Sequence, residues 1–256
     1  MAKRGKPEAI SIEDRGKACW LVASYRPVSL FSLRMTHATS KGGKTLLVPT
    51  PYVIKMALLD VCFRRYDETE APIAARAVFD VVKGREVRIR PPEQCMVQNT
   101  FVWVLDAERD GDLPFKRTIA YREFVSHHGV MEIALGVAGL NEPEIAGLSE
   151  LFLHINSFGK RGSFWQYERS DLIDGELPIG FSVPLTEQRF RGVPSYGMVQ
   201  ALDDFGEELC AAKNGFDRIS TYGDGRIQLG LHRILVETAL PYRRVSAGRG
   251  FTWYGK

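Results

Sequence analysis

The order in which strand-like and helix-like patterns follow one another is the feature that most constrains the fold of this chain. Over residues 18–185 the apolar residues recur with a period of two or of about 3.6, in the order strand, helices, strand, strand, helix, strand. This order is typical of a split βαβ arrangement, in which helices cover one face of an antiparallel sheet. We therefore predict an α+β, ferredoxin-like domain for residues 18–185.

The helices of this domain carry recognisable start sites. Thr50 followed by Pro51 is predicted to cap the first helix, since Thr is favoured at the N-cap and Pro at the first helical position. Its apolar stripe is Ile54, Leu58, Val61 and Cys62. A second helix is predicted over Ala71–Val82 and a third over Glu142–Asn156, with Asn141 as its cap.

The strands of the same domain are predicted from period-two alternation. The first covers Ala18–Arg34 and bends at Pro27. Four further segments alternate in the same way and surround a polar tip at Asp106–Pro114: Glu86–Arg90, Thr100–Leu105, Lys116–Ser126 and Val130–Val137. A last strand opens at Phe164, after the third helix.

The two ends of the chain differ in character from this domain. Residues 1–17 are predicted to form a flexible basic lead. Residues 186–256 are rich in Gly, Pro and Tyr and are predicted to form a smaller, strand-rich subdomain appended to the first. Within it we predict a helix over Asp203–Lys213 and strands over Arg226–Leu231 and Ile234–Leu240.

Charge is distributed unevenly along the chain. The 256 residues carry a net charge of +3, but residues 1–66 hold 12 Lys or Arg against 4 Asp or Glu, and residues 226–256 hold 6 against 1. The remaining 67–225 therefore carry −10. If the two basic ends lie on one face, that face attracts a polyanion such as a nucleic acid.

Several classes of protein are disfavoured by what the sequence lacks. No segment approaches the ~18 consecutive apolar residues of a membrane span, and the basic start leads into no apolar signal region. The four cysteines are scattered without a CxxC pair, which argues against a zinc site and a disulfide framework. We expect a cytoplasmic protein without metal, cofactor or membrane contact.

The first candidate binding segment is the polar loop Thr36–Thr45. It contains Gly-Lys-Thr, but no glycine stands five residues before Gly43 and the next helix begins too late for a phosphate-binding loop of an NTPase. Its exposed amides and lysines are still suited to RNA phosphates. The candidates here are His37, Lys41, Gly42, Gly43 and Lys44.

The second candidate segment is the glycine loop that follows the third helix. Two cations lie between glycines, and aromatic residues flank them on both sides. Cations neutralise phosphates while aromatic rings stack on unpaired bases, a combination suited to single-stranded RNA. The candidates are Phe158, Gly159, Lys160, Arg161, Gly162 and Trp165. Alternation is expected to send Phe164 and Trp165 to opposite faces of the following strand.

Further basic residues extend this prediction along the strands. The supporting RNA contacts are Arg26, Arg34, Lys116, Arg117 and Arg122. His127 and His128 are adjacent at a strand end, where we predict solvated turn histidines, because neighbouring strand residues point to opposite faces.

Three segments resemble a known family. LVPTP at 47–51 followed by KMALL at 55–59, FKRTIAYREF at 115–124, and INSFGKRGSF at 155–164 resemble, in order and placement, segments of the fifth Cas family of the RAMP superfamily. These proteins are small subunits of type I CRISPR Cascade surveillance complexes. The resemblance covers roughly residues 18–185.

The resemblance implies a non-catalytic subunit that binds the 5′ handle of the crRNA and caps the backbone of the complex in antiviral defence. Its expected partners are the crRNA, the adjoining backbone subunit and the large subunit, with target DNA reached only through the complex. In the family a hairpin between the second and third strands displaces a guide nucleotide. The short acidic tip at residues 106–114 occupies that place here.

Two alternatives remain open at the level of sequence. Some members of the family cut precursor crRNA, and a metal-independent endoribonuclease here would use His37 with Lys44 or Tyr25 for general acid–base cleavage. The other alternative is an interaction protein of the same fold that binds no RNA. The charge segregation makes this last alternative the least favoured.

Overall fold

The computed structural model describes residues 18–36, 38, 42–107, 115–185, 197–220 and 226–256. The strands are β1 (Cys19–Pro27), β2 (Gly42–Gly43), β3 (Val87–Arg90), β4 (Gln94–Ala107), β5 (Phe115–His128), β6 (Met131–Gly136), β7 (Trp165–Asp174), β8 (Val183–Pro184), β9 (Met198–Phe205), β10 (Arg233–Leu240), β11 (Arg243–Gly248) and β12 (Phe251–Gly255). The helices are α1 (Pro51–Arg65), α2 (Ala71–Val82), α3 (Glu142–Leu153), α4 (Glu207–Ala211) and α5 (Gly215–Ile219).

A four-stranded antiparallel sheet forms the first layer, with the strand order β3-β6-β1-β7. Alternate residues of β1 point to its two faces. Tyr25 is buried with the apolar residues of α1 and α3, and its hydroxyl donates to the Phe152 carbonyl at 2.6 Å. Val22 lies on the other face, in a small cluster with Ala134 and Phe181. The predicted α+β architecture with an antiparallel sheet is confirmed.

The predicted helix starts are confirmed by their caps. The Thr50 hydroxyl accepts a hydrogen bond from the Val53 amide at 3.2 Å, with Pro51 in the first turn. Asn141 forms a capping box with Glu144, in which each side chain accepts from the other residue's amide at 2.9 Å. The four stripe residues of α1 are fully buried: Ile54, Leu58, Val61 and Cys62.

Two predicted elements end earlier than expected. β1 stops at Pro27, because the chain then leaves this sheet and bridges β5 through Phe31 and Val125. Helix α3 stops at Leu153 rather than at Asn156. The Ile155 amide bonds to the Phe152 carbonyl at 3.2 Å, a three-residue bond that tightens and closes the last turn.

A second sheet has five strands in the order β11-β12-β4-β5-β2. Its centre is the β4–β5 hairpin, in which Gln94–Ala107 pairs in continuous register with Phe115–His128. Both strands are longer than the predicted 100–105 and 116–126. Residues 108–114, most of the predicted polar tip, lie outside the described residues.

The C-terminal region is strand-rich, but two of its elements differ from the prediction. Asp203 belongs to strand β9, and only Glu207–Ala211 is helical, because β9 pairs along its whole length with β10 and this ladder outweighs the helical spacing of Leu202, Phe205 and Leu209. The predicted strand over 226–231 is instead a turn at Gly230, whose φ is +87°. The predicted strand over 234–240 is confirmed as β10.

The C-terminal residues share the core of the first part of the chain. Leu202, Phe205 and Tyr242 belong to the same buried cluster as Ile54 of α1. The Gln200 side-chain oxygen accepts from the Leu47 amide at 2.9 Å. The core therefore continues across the predicted boundary at residue 185. Among the described residues, no helix is long and apolar enough to cross a membrane.

Candidate nucleic-acid interface

The second glycine loop is a tight turn that projects two cations. Gly159 and Gly162 have φ values of +75° and +99°, a backbone region that favours glycine. The Ser163 amide donates to the Lys160 carbonyl at 3.0 Å and closes the turn. Lys160 and Arg161 are exposed at its tip, and within the described part of the chain no carboxylate pairs with either.

The first glycine segment lies along the edge of β5. Gly42 and Gly43 pair in parallel with Tyr121 and Arg122. A Cβ on Gly43 would lie 2.7 Å from the Arg122 Cδ and 3.2 Å from the Tyr121 carbonyl oxygen, so the close approach of the two backbones depends on this glycine. The segment is therefore strand-like at this point rather than a phosphate-cradling loop that leads into a helix.

Lys44 is held by a buried carboxylate. Its ammonium lies 2.8 Å from the Glu123 Oε1, and the Thr45 amide donates to Oε2 at 2.9 Å. This hydrogen bond to Glu123 raises the pKa of Lys44. The Lys44 side chain stays 63% exposed while that of Glu123 is only 7% exposed. Lys44 is thus accessible to solvent, but its charge is offset from within the protein.

The structure brings the two glycine segments together around β5. Ser32 joins them, because its amide donates to the Ser163 hydroxyl at 3.2 Å and its hydroxyl donates to the Glu123 carbonyl at 3.0 Å. The Lys160 ammonium lies 5.5 Å from the centre of the Phe124 ring, next to Glu123 in the strand. We call the surface formed by Gly42–Lys44, Arg122 and Lys160–Arg161 the basic edge.

The remaining predicted contacts divide into near and distant groups. Arg34 is exposed and bridges Thr45, beside the basic edge. Arg26 forms a 2.6 Å ion pair with Glu168 of β7. Lys116 and Arg117 are exposed on the distal hairpin, about 20 Å along the strand from Arg122. His37 and Lys41 lie outside the described residues.

Two aromatic residues of the second loop are core residues, contrary to the predicted base contacts. Phe158 is 0% and Trp165 3% exposed. The Phe158 ring packs edge-on against Tyr25, at 5.1 Å between ring centres. Neither ring has a face available to a base. The exposed ring of this segment belongs to Phe164, so the predicted separation of Phe164 and Trp165 onto opposite sides is correct.

His127 differs from the predicted solvated histidine. Its Nε2 lies 2.8 Å from the Leu47 carbonyl oxygen, and its ring packs against Phe31 and Trp165. Burial lowers the pKa of His127 to about 4, so the imidazole is neutral near pH 7. His128 is exposed, as expected from the alternation of the strand.

Of the three candidate acid–base residues for RNA cleavage, Tyr25 and Lys44 are among the described residues and His37 is not. The Tyr25 side chain is fully buried and its hydroxyl is engaged with the Phe152 carbonyl. Desolvation raises the pKa of Tyr25 well above its ordinary value. Tyr25 is therefore a core residue out of reach of a surface-bound RNA. Among the described residues, no group of three or more His, Cys, Asp or Glu is placed to hold a metal ion.

An apolar surface on the projecting hairpin was not predicted. One face of the distal β4–β5 hairpin carries large apolar side chains that are 52–72% exposed, which we call the hairpin strip: Phe101, Trp103, Leu105, Phe115 and Ile119. The same face nearer the base of the hairpin is core, since Val97 and Val125 are buried. The alternation of Phe101, Trp103 and Leu105 is visible in the sequence, but alternation alone does not tell whether a face is covered.

Comparison with known proteins gives one sequence relative. The chain is 27% identical over 109 residues to the CRISPR-associated protein Cas5 of Archaeoglobus fulgidus, a match that covers 41% of this chain and 46% of that protein. The chain thus matches less than half the length of this relative. No protein-family model matches the chain.

Solved structures also match the chain at low identity. A crystal structure of a CRISPR protein from Archaeoglobus fulgidus matches with a TM-score of 0.47 and 10% identity, over 93% of this chain and 92% of the other. A cryo-EM structure of the Type III-B Cmr-beta bound to cognate target RNA matches with a TM-score of 0.38 and 8% identity, over 63% of each chain. The sequence similarity to Cas5 of Archaeoglobus fulgidus confirms the resemblance to the fifth Cas family that the three segments predicted.

Proposed function

We propose that the protein is a non-catalytic RNA-binding subunit of a type I CRISPR Cascade complex. It binds the 5′ handle of the crRNA, caps the backbone of the complex and acts in the cytoplasm. The observation that carries this proposal is the basic edge, where two glycine-bearing cationic segments distant in sequence meet on one strand. The similarity to a CRISPR-associated Cas5 protein supports the same assignment.

The chemistry of the basic edge suits an RNA backbone. Lys160 and Arg161 project from a turn and pair with no carboxylate of the described residues, so each can neutralise a phosphate and release its counterions. On the second segment, a Cβ at Gly162 would meet no described atom within 4 Å, which leaves room for a ribose–phosphate chain close to the protein backbone.

We further propose that the four-stranded sheet with α1 and α3 is the ferredoxin-like unit of the family. Leaving α2 aside, the elements follow the chain in the order β1, α1, β3, β6, α3, β7, and the sheet order β3-β6-β1-β7 places the first and third strands of that series in the centre. This is the strand arrangement expected of a split βαβ fold.

The hairpin strip supports a second part of the proposal, a contact with the adjoining subunit of the complex. Five large apolar side chains that are more than half exposed on one face are unusual for a surface that meets only water. The family resemblance implies that a hairpin in this place displaces a guide nucleotide. We propose the same position for the hairpin here.

The proposal is tested first by recovering the bound RNA. The full chain is purified together with the proteins encoded beside it, and the RNA that stays bound is sequenced. A uniform small RNA with one fixed 5′ end is the expected result. A clean preparation that retains no RNA would remove the proposal.

The second test assigns the binding to the basic edge. We expect Lys160→Ala with Arg161→Ala to weaken binding of an RNA that carries the CRISPR repeat sequence (the repeat RNA). The slope of log K against log salt concentration should become shallower by about one to two. The matched control is Lys213→Ala with Arg218→Ala, which removes two charges near α5. A salt dependence equal to that of the control would contradict this assignment.

The non-catalytic part of the proposal is tested separately. Incubation of the pure chain with repeat RNA in EDTA is expected to leave the RNA intact. Discrete cleavage at one position would favour a metal-independent endoribonuclease instead. The burial of Tyr25 supports the expected result, because that residue was one of the candidate acid–base groups.

A further inference from the structure

The five-stranded sheet has a second face that is not covered by the core. Cys95, Val97 and Val125 are buried on one side of the sheet. Two rows of side chains lie on the opposite side, and none of them is buried. We call this side the outer face; its central residues are Met96, Gln98, Phe124, Ser126, Phe251 and Trp253.

The strand register places the aromatic residues of the outer face in two adjacent rows. Phe251 of β12 is opposite Gln98, which is opposite Phe124 of β5. In the next row, Trp253 is opposite Met96. Phe251 and Trp253 are each 37% exposed. Rings two strands apart are separated by about 10 Å, so each can take a separate, splayed-out base.

The central residues of the outer face are supported by packing beneath the sheet and at one edge of it. The buried residues beneath it belong to the main core. At its outer edge, a Cβ on Gly248 would lie only 2.5 Å from the Phe251 Cε1 atom, so the Phe251 ring lies directly over the bare backbone of this glycine. A preorganised ring loses little conformational freedom when a base stacks on it.

Cations border the outer face at two places. The Lys160 ammonium lies 5.5 Å from the centre of the Phe124 ring, which connects the face to the basic edge. Arg243 is exposed and opposite Gly255, two residues beyond Trp253, so it extends the same side of the sheet on β11. No acidic residue occurs in the two central rows of the outer face.

We propose that the outer face binds unpaired nucleotides of an RNA, with Phe124, Phe251 and Trp253 stacking on bases and with Lys160 and Arg243 contacting phosphates. The inference rests on the proposed RNA-binding function and adds a base-contacting site to it. The combination of rings, cations and amide or hydroxyl groups suits a nucleic acid. The hairpin strip, in contrast, contains the aliphatic residues Leu105 and Ile119 beside its aromatic rings. This composition suits contact with another protein.

The test measures binding of the full chain to a fluorescein-labelled oligouridine of about 12 nucleotides, long enough to span one such surface. Phe251→Leu and Trp253→Leu each keep apolar area but remove a ring, and each is expected to weaken binding about tenfold. The salt dependence should stay unchanged, because no cation is removed. The control is Phe63→Leu, which removes an equally exposed ring from α1.

A second measurement does not depend on any variant. An oligouridine that carries 4-thiouridine is cross-linked to the wild-type chain by light, and the attached peptide is identified by mass spectrometry. A cross-link within β12 is the expected result. Cross-links confined to other peptides would overturn the inference.

The outcomes separate this inference from the proposed function. Leucine variants that bind like the Phe63→Leu control, while the Lys160→Ala and Arg161→Ala variant loses affinity, would overturn the outer-face site and leave the proposed function intact. Leucine variants that keep RNA but lose a co-purifying subunit would assign the face to a protein instead and overturn the inference. A wild-type chain that binds neither oligouridine nor repeat RNA would overturn the proposed function itself.

Discussion

The two cationic segments of the basic edge differ in how their charges are balanced. Lys44 is paired with the nearly buried carboxylate of Glu123, whereas Lys160 and Arg161 extend from a glycine turn without a carboxylate partner among the described residues. A cation that is already paired gains less from a phosphate, because it must share or give up its partner. If the protein binds RNA as proposed, the second loop therefore provides most of the electrostatic attraction and the first loop positions the RNA.

The largest expected effect concerns the anchor of the second loop. We expect Phe158→Ala to lower the free energy of unfolding by about 3–5 kcal/mol, because the fully buried ring packs on Tyr25 and its removal leaves a cavity. Chemical denaturation measures the change. The control is Phe164→Ala at the exposed neighbour, for which a loss below about 1 kcal/mol is expected. Equal losses in the two variants would contradict the assignment of Phe158 to the core.

The next effect is a pH dependence at His127 of β5, whose ring packs against Phe31 and Trp165. Its pKa falls from 6.5 to about 4 on folding, so its contribution to stability is complete above about pH 6.5 and is lost as the pH falls to about 4. The expected loss is about 3 kcal/mol.

Denaturation of wild type and of His127→Gln at several pH values checks this prediction. The amide can keep the hydrogen bond to the Leu47 carbonyl but does not titrate. The variant should therefore give a flatter profile between pH 6.5 and pH 4. Parallel profiles would show that another group is responsible.

A smaller effect is expected from Glu123→Gln, which removes the internal partner of Lys44. The amide oxygen can still accept from the Thr45 amide, so the loss of stability should stay near 1–2 kcal/mol. With its charge released, Lys44 should add about 0.7 to the steepness of the salt dependence of RNA binding. A salt dependence that stays at the wild-type value would mean that Lys44 does not face the RNA.

The smallest expected effect is the change in the salt dependence of RNA binding when a single lysine is replaced. We expect Lys160→Ala to reduce the salt dependence by about 0.7 and Lys44→Ala to reduce it by clearly less, because Glu123 already offsets the Lys44 charge. Titrations of the repeat RNA at several salt concentrations measure both slopes. The opposite ranking would reverse the roles given to the two segments.

Local patterns predicted the elements of the first part of the chain well. Thr50 and Asn141 have side chains that cap the next turn, and this chemistry needs no knowledge of distant residues. The prediction of a glycine loop around residues 160 and 161 was also correct, because glycine readily adopts the positive φ values that this turn needs.

Long-range pairing accounts for what the sequence did not reveal. Phe158 and Phe164 are the same residue type in the same loop, but Phe158 is the buried one and packs on Tyr25, more than a hundred residues away. Likewise, the apolar residues around Asp203 have helical spacing in the sequence. The ion pair of Asp203 with Arg233 and the ladder with β10 nevertheless place it in a strand. Tertiary contacts of this kind override local propensity.

The position of β12 between β11 and β4 has a consequence for biosynthesis. Phe251–Gly255 pairs with Gln94–Gln98, so this edge of β4 is covered only by residues made some 150 positions later. During translation β4 exposes an open edge for the time needed to make these residues, about 8–30 s at ordinary elongation rates. Such an edge is a site for wrong pairing with another nascent chain.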